Sequence, residues 1–96
     1  MKVSAGGLAW YRREDYPRLL TIFEDADKLS PTYDEWLAMA EKAFQNFEKT
    51  GVFAVKAIID PDEFPKWCAD NGHNIDAEAR MEFANREAVR QYRKRN

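Results

Sequence analysis

Apolar residues recur at helical spacing in four stretches of this chain and fill one short segment in an extended pattern. From Asp15, the positions Tyr16, Leu19, Leu20 and Phe23 follow i, i+3, i+4, i+7 spacing, and Pro17 is tolerated in a first turn, which predicts a helix from Asp15 to about Asp27. After Leu29-Ser30-Pro31, Thr32 stands three residues before Glu35, the spacing of a capping box. The helix it opens puts Tyr33, Trp36, Leu37, Ala40, Ala43, Phe44 and Phe47 on one stripe and turns Glu41, Lys42, Gln45 and Lys49 away. Gly51 supplies a left-handed residue to end it.

Val52 to Ile59 predicts a strand, with Phe53, Val55, Ala57 and Ile59 on one face and Val52, Ala54, Lys56 and Ile58 on the other. Asp60-Pro61 closes it. A third helix runs to about Asn71 and stops at Gly72; Pro65 suits a start at Asp62, and an Asp60 to Glu63 capping box is the competing start. Asp76 caps the last helix, whose apolar stripe is Ala77, Met81, Ala84, Ala88 and Tyr92, with Arg86, Arg90 and Lys94 on the far side. Within Met1 to Arg13, glycines precede Leu8-Ala9-Trp10-Tyr11, which reads as a short extended segment.

The expected fold class is therefore α+β and mainly helical: about four helices around one central strand, 52–59, in a single domain over residues 1–96. Residues 1–13 are an unassigned N-terminal segment, and 85–96 form the basic end of the last helix. A lone strand leaves ladder donors and acceptors unpaired, so 52–59 must pair with the Leu8 to Tyr11 segment or with the same strand of a second protomer. The second option makes the protein a homodimer.

Composition narrows the chemistry. At 96 residues, with 45% hydrophobic and 14% aromatic residues and a net charge of -2, the chain fits one compact core and lies far from the disordered class. No basic start followed by an apolar run marks an export signal, and the apolar stretch 52–59 is far shorter than a membrane span and contains Lys56. One cysteine and one histidine allow neither an intrachain disulfide nor a multi-cysteine or two-histidine metal motif, so a reducing cytoplasm is the expected location. Gly6-Gly7 lacks the residues of a phosphate loop.

Cys68 and His73 invite a nucleophile-base reading, but Cys68 falls near a helix C-terminus between Trp67 and Ala69, where a buried, inert thiol is expected. His73 follows Gly72 in a turn and reads as a solvated or capping imidazole. Glu24, Asp25, Asp27, Asp34 and Glu35 form an acidic neighbourhood that matches no calcium-loop pattern; Asp34 and Glu35 serve the helix dipole where they stand. The last helix carries Arg80, Arg86, Arg90, Arg93, Lys94 and Arg95, with Phe83 on its basic side, a combination able to hold phosphates and stack a base or to receive an acidic protein. The ordinary structural account is that these cations stabilise the helix C-terminus and that Phe83 belongs to a wide buried face.

Asp15-Tyr16-Pro17, Asp25, Thr32-Tyr33 with Trp36, Pro61 with Phe64, Trp67-Cys68, Gly72, and Ala79-Arg80 with Phe83-Ala84 together resemble a family of short uncharacterised bacterial proteins, over about residues 15–84. The resemblance implies a bacterial cytoplasmic origin and a compact α/β domain, and carries no reaction, cofactor or catalytic residue. It leaves the basic tail outside the matching region and draws attention to Phe64, Trp67 and Arg80, because aromatics beside a guanidinium are common binding hot spots.

These readings converge on a non-enzymatic protein-interaction module with no cofactor, no catalytic residue and no metal, contacting another protein or itself. Its candidate binding residues are Phe64, Trp67, Arg80, Phe83, Arg86 and Arg90. Nucleic-acid binding by the basic last helix is the first alternative. A small enzyme or metal-binding protein using carboxylates near His73 is the second.

Overall fold

A computed structural model describes residues 5–94. Its elements run strand β1 (Ala5–Trp10), a 3-10 turn (Arg13–Asp15), helix α1 (Tyr16–Ile22), a second 3-10 turn (Ala26–Lys28), helix α2 (Tyr33–Glu48), strand β2 (Phe53–Ile58), helix α3 (Glu63–Asp70) and helix α4 (Ala77–Lys94). The protein is thus a mainly helical α+β domain with a two-stranded sheet. No helix among the described residues is long and apolar enough to cross a membrane. Met1 to Ser4, Arg95 and Asn96 lie outside the described residues.

The central strand finds its partner within the chain. β1 and β2 pair in parallel, with Ala5 opposite Phe53 and Trp10 opposite Ile58, and the Ile59 amide donates to the Trp10 carbonyl at 2.9 Å just beyond the ladder. A parallel pair needs a long crossover, here supplied by α1 and α2. The two glycines of β1 show how the faces are covered. A Cβ on Gly6 would meet the Phe47 ring of α2, whereas one on Gly7 would lie 2.1 Å from the Ala84 carbonyl oxygen of α4. The sheet is therefore sandwiched between α2 and α4, and α4 lies against the backbone of β1.

Local chemistry accounts for most boundaries. Thr32 Oγ1 accepts the Glu35 amide at 3.2 Å, and the Glu35 carboxylate turns back onto the Thr32 hydroxyl at 2.9 Å. Gly51 at φ 90° and Gly72 at φ 70° release the chain after α2 and α3 from a region that disfavours other side chains. Asp60 opens α3: its Oδ1 accepts the amides of Asp62 and Glu63 at 2.8 and 3.0 Å, the competing start. Asp76 opens α4 by accepting the Ala79 amide at 3.1 Å.

Two expectations need correction. The helix predicted from Asp15 to Asp27 ends at Ile22; Phe23 is extended, and the Glu24 amide donates to the Ile75 carbonyl at 2.8 Å. This break aims the Phe23 ring into the core and brings Asp25 to Arg80. In α4 the expected stripe holds at Ala84 and Ala88 but fails over the first turns. Ala77 and Met81 are exposed, while the buried positions are Ala79, Arg80, Ala84 and Ala88. The first turns of α4 aim Phe83 towards α3, and from Ala84 onward the helix lies over the sheet, so no single helical stripe serves both contacts.

Trp10, Tyr11, Tyr16, Leu19, Phe23, Trp36, Ile59, Phe64, Cys68 and Ala79 form the core. Its aromatic rings meet at offset angles, Tyr11 to Trp36 at 4.6 Å and Trp10 to Trp36 at 5.2 Å, in the tilted and edge-on arrangements that such rings prefer. Their polar ends are served, because the Tyr16 hydroxyl donates to the Ser30 carbonyl and the Tyr33 hydroxyl to that of Tyr11.

Candidate interaction surface

The six candidate residues divide into an inner and an outer group. Phe64 is fully buried and stacks parallel to the half-buried Trp67 at 5.9 Å; Phe83 meets both edge-on, at 5.5 and 5.3 Å. The His73 ring lies parallel to Trp67 at 5.5 Å, and the Arg86 guanidinium stands 5.4 Å from its ring. The three aromatics thus fasten α3 to α4. Phe83 is turned inwards onto Phe64 and Trp67, in keeping with the wide buried face and not with a stacking platform.

Arg80 is also internal. Its guanidinium grips the Asp25 carboxylate through two bonds of 2.9 and 2.8 Å and lies 4.4 Å from the centre of the Phe23 ring. Hydrogen bonds from Arg80, chiefly, hold the Asp25 carboxyl below its ordinary range against the opposing effect of burial. Burial pushes the neighbouring Tyr11 phenol up to about 12, with the Arg80 charge opposing. This pair ties the irregular segment after α1 to α4 and offers no open surface for a partner. Phe64 and Arg80 therefore do not form the aromatic-guanidinium surface that the sequence suggested.

The acidic neighbourhood is dispersed by its own partners. Asp25 serves Arg80, Asp34 pairs with Arg13 at 2.8 Å, and Glu35 serves the α2 cap. Among the described residues, no group of three or more His, Cys, Asp or Glu side chains is arranged to hold a metal ion. Cys68 is buried, which raises its thiol pKa, with Asp76 adding to the shift. The His73 imidazole points elsewhere, with Nε2 3.1 Å from a Glu82 carboxylate oxygen.

Arg86 and Arg90 stand outside, on the back of α4. There the helix presents two ridges four residues apart in step: Glu78, Glu82, Arg86, Arg90 and Lys94 form one, and Met81, Asn85, Val89 and Arg93 the other. Between them and beside His73 runs an open groove of about 960 Å³. The spacing between such ridges is what a second helix fills when helices pack. The cations are partly spent: Arg86 bonds Glu82 and the Asn71 side chain, and Arg90 bonds Glu87. Met81, 61% exposed, is the largest apolar side chain here; the sequence hid it by placing it in the expected buried stripe.

A second surface is the outer edge of β2. Since Ile59 donates to Trp10, the alternation of a parallel ladder turns the peptide groups of Ala54, Lys56 and Ile58 away from β1. The outer edge of β1 is treated differently, for Asn85 Oδ1 accepts the Gly7 amide at 3.2 Å. Lys56 guards the β2 edge; its ammonium lies 4.4 Å from the Trp10 ring centre and bonds Glu41 at 3.3 Å. Lysine at such a position discourages further strand addition.

No family model matches the chain, and no curated protein or solved structure matches it either.

Proposed function

We propose that the protein is a non-enzymatic protein-interaction module that docks through the outer face of α4. The observation that carries this reading is the open groove between the two ridges of α4, with exposed Met81 and half-buried Val89 among charged neighbours. Apolar anchors rimmed by charges are what a protein partner uses. A bacterial cytoplasmic setting belongs to the same reading, supported by the sequence resemblance and by the single buried cysteine.

The geometry favours a protein over nucleic acid. Arg86 and Arg90 are engaged with Glu82 and Glu87, which weakens their draw on phosphates, and Phe83 is packed against Phe64 and Trp67 where no base can stack. An enzyme reading rests on His73 and Glu82 alone. Among the described residues, no hydroxyl or thiol lines the groove beside them.

Affinity capture from lysate of the source cells, with and without nuclease, tests the reading when the wild-type chain is compared with Met81→Glu. The expected result is a stoichiometric protein retained despite nuclease by the wild type and lost by the folded variant. Retention by both alike, or material removed by nuclease, would contradict it.

A further inference from the structure

We infer that the partner for this face is a second copy of the chain, packed antiparallel along α4 about a two-fold axis near Asn85 and Arg86; the inference rests on the docking reading above. The outer face has a polarity of charge. Glu78 and Glu82 occupy its N-terminal half, and Arg90, Arg93 and Lys94 its C-terminal half. A helix dipole accounts for acids in the first turn and bases in the last, which covers Glu78, Arg93 and Lys94. Glu82 and Arg90 lie further in, beyond the reach of the dipole, and within the chain they pair with exposed Arg86 and with Glu87, surface pairs that a second copy can exchange.

Antiparallel packing matches the two halves. Each residue before the midpoint lies level with one equally far beyond it in the second copy. Glu78 then comes level with Arg93 and Lys94, and Glu82 with Arg90, to within one residue. Met81 falls within one residue of level with Val89, so the two apolar side chains of the groove come near each other across the axis twice. The interface is isologous, as a closed dimer requires, and opposite charges across paired helices select this orientation over the parallel one. A parallel pairing sets Glu78 and Glu82 against themselves and Arg90 and Arg93 against themselves, whereas the antiparallel one brings only Arg86 near its own copy, each with Glu82 of its own helix as partner. The open groove admits the opposing ridge, and α4, at 18 residues, gives about 27 Å of contact length.

A charge exchange tests this in the full chain by sedimentation. One variant carries Glu78→Lys and Glu82→Lys, the other Arg90→Glu and Arg93→Glu; circular dichroism and thermal melting establish that both fold. The wild type is expected to dimerise between micromolar and millimolar concentration, with a dissociation constant rising about tenfold or more from low to high salt as exposed charges are screened. Each variant alone is expected to stay monomeric where the wild type is dimeric, and their equimolar mixture to dimerise. A wild-type chain monomeric to millimolar concentration would overturn the inference, as would variants that self-associate normally or a mixture that stays monomeric. A dimer indifferent to these exchanges but lost on Ile58→Pro would overturn it in favour of the β2 edge. The docking reading fails separately: if the wild type is monomeric yet a different captured protein is lost on Met81→Glu, the docking face stands and self-pairing alone falls.

Discussion

Replacing Gly7 by alanine is the sharpest perturbation of the fold, because the added methyl meets backbone. Its Cβ would lie 2.1 Å from the Ala84 carbonyl oxygen and 2.6 Å from the carbonyl carbon. A carbon-oxygen contact is comfortable only near 3.3 Å or beyond, so α4 must retreat by about 1 Å at this point. Such a gap forfeits a quarter to a half of the dispersion energy at each contact it opens. Overpacking of this kind costs about 1–3 kcal/mol, and loss of the bond from the Gly7 amide to Asn85 adds about 1 kcal/mol. Alanine recovers about 0.4–1 kcal/mol by restricting the unfolded chain. The net expectation is about 2 kcal/mol, a large share of a small domain's stability, and a fall in Tm of about 10 °C. Gly6→Ala is the control. Its Cβ meets only the far end of the Phe47 ring, which can swing aside, so its cost should stay near 1 kcal/mol. Urea and thermal unfolding, followed by far-ultraviolet circular dichroism and tryptophan fluorescence, measure both. A Gly7→Ala chain within about 0.5 kcal/mol of wild type, or a Gly6→Ala chain that loses more, would refute the close packing of β1 on α4.

The other predictions concern buried chemistry. Asp25→Asn should cost about 2–3 kcal/mol by urea unfolding, since it leaves the Arg80 charge among apolar neighbours with one neutral acceptor. Because the native Asp25 carboxyl is held below its ordinary value of 3.8, its contribution is complete above that value and is lost as pH falls through the lower native one. Acid titration of stability should therefore show a smaller loss below pH 3.8 in the variant than in wild type. Cys68 should react with a thiol reagent roughly 10³-fold more slowly in the native chain than in urea, at a rate tied to opening of the α3 packing; rapid native labelling would contradict its burial.

What could be read from the sequence was local. Thr32 with Glu35, Asp76, Gly51 and Gly72 mark helix boundaries through bonds and backbone angles fixed within a few residues, and the apolar stretch before Ile59 marks β2. The rest depended on distant partners. Glycines at 6 and 7 weaken any strand pattern, yet they are present because α2 and α4 approach β1 so closely. Phe23 completes a helical stripe, but tertiary packing breaks the helix there to bring Asp25 to Arg80. Arg80 looked like a surface cation because its only sequence signal was charge, and its carboxylate lies 55 residues away. Met81 was hidden by the opposite error, an apolar residue at stripe spacing on a helix whose buried face rotates along its length. Arg86 and Arg90 were found because four-residue spacing places them outside whatever α4 packs against.

The docking claim meets its most direct test in methionine oxidation of the native chain in lysate of its source cells. Met39 on α2 and Met81 on α4 are exposed almost equally, 62% and 61%, so the isolated chain at high dilution should convert both to the sulfoxide at similar rates. Peptide mass spectrometry reads the two sites separately. If the outer face of α4 is covered by a partner or by a second copy, Met81 should be oxidised several-fold more slowly than Met39 in lysate and at the same rate after unfolding. Equal rates at the two sites in lysate would contradict the claim.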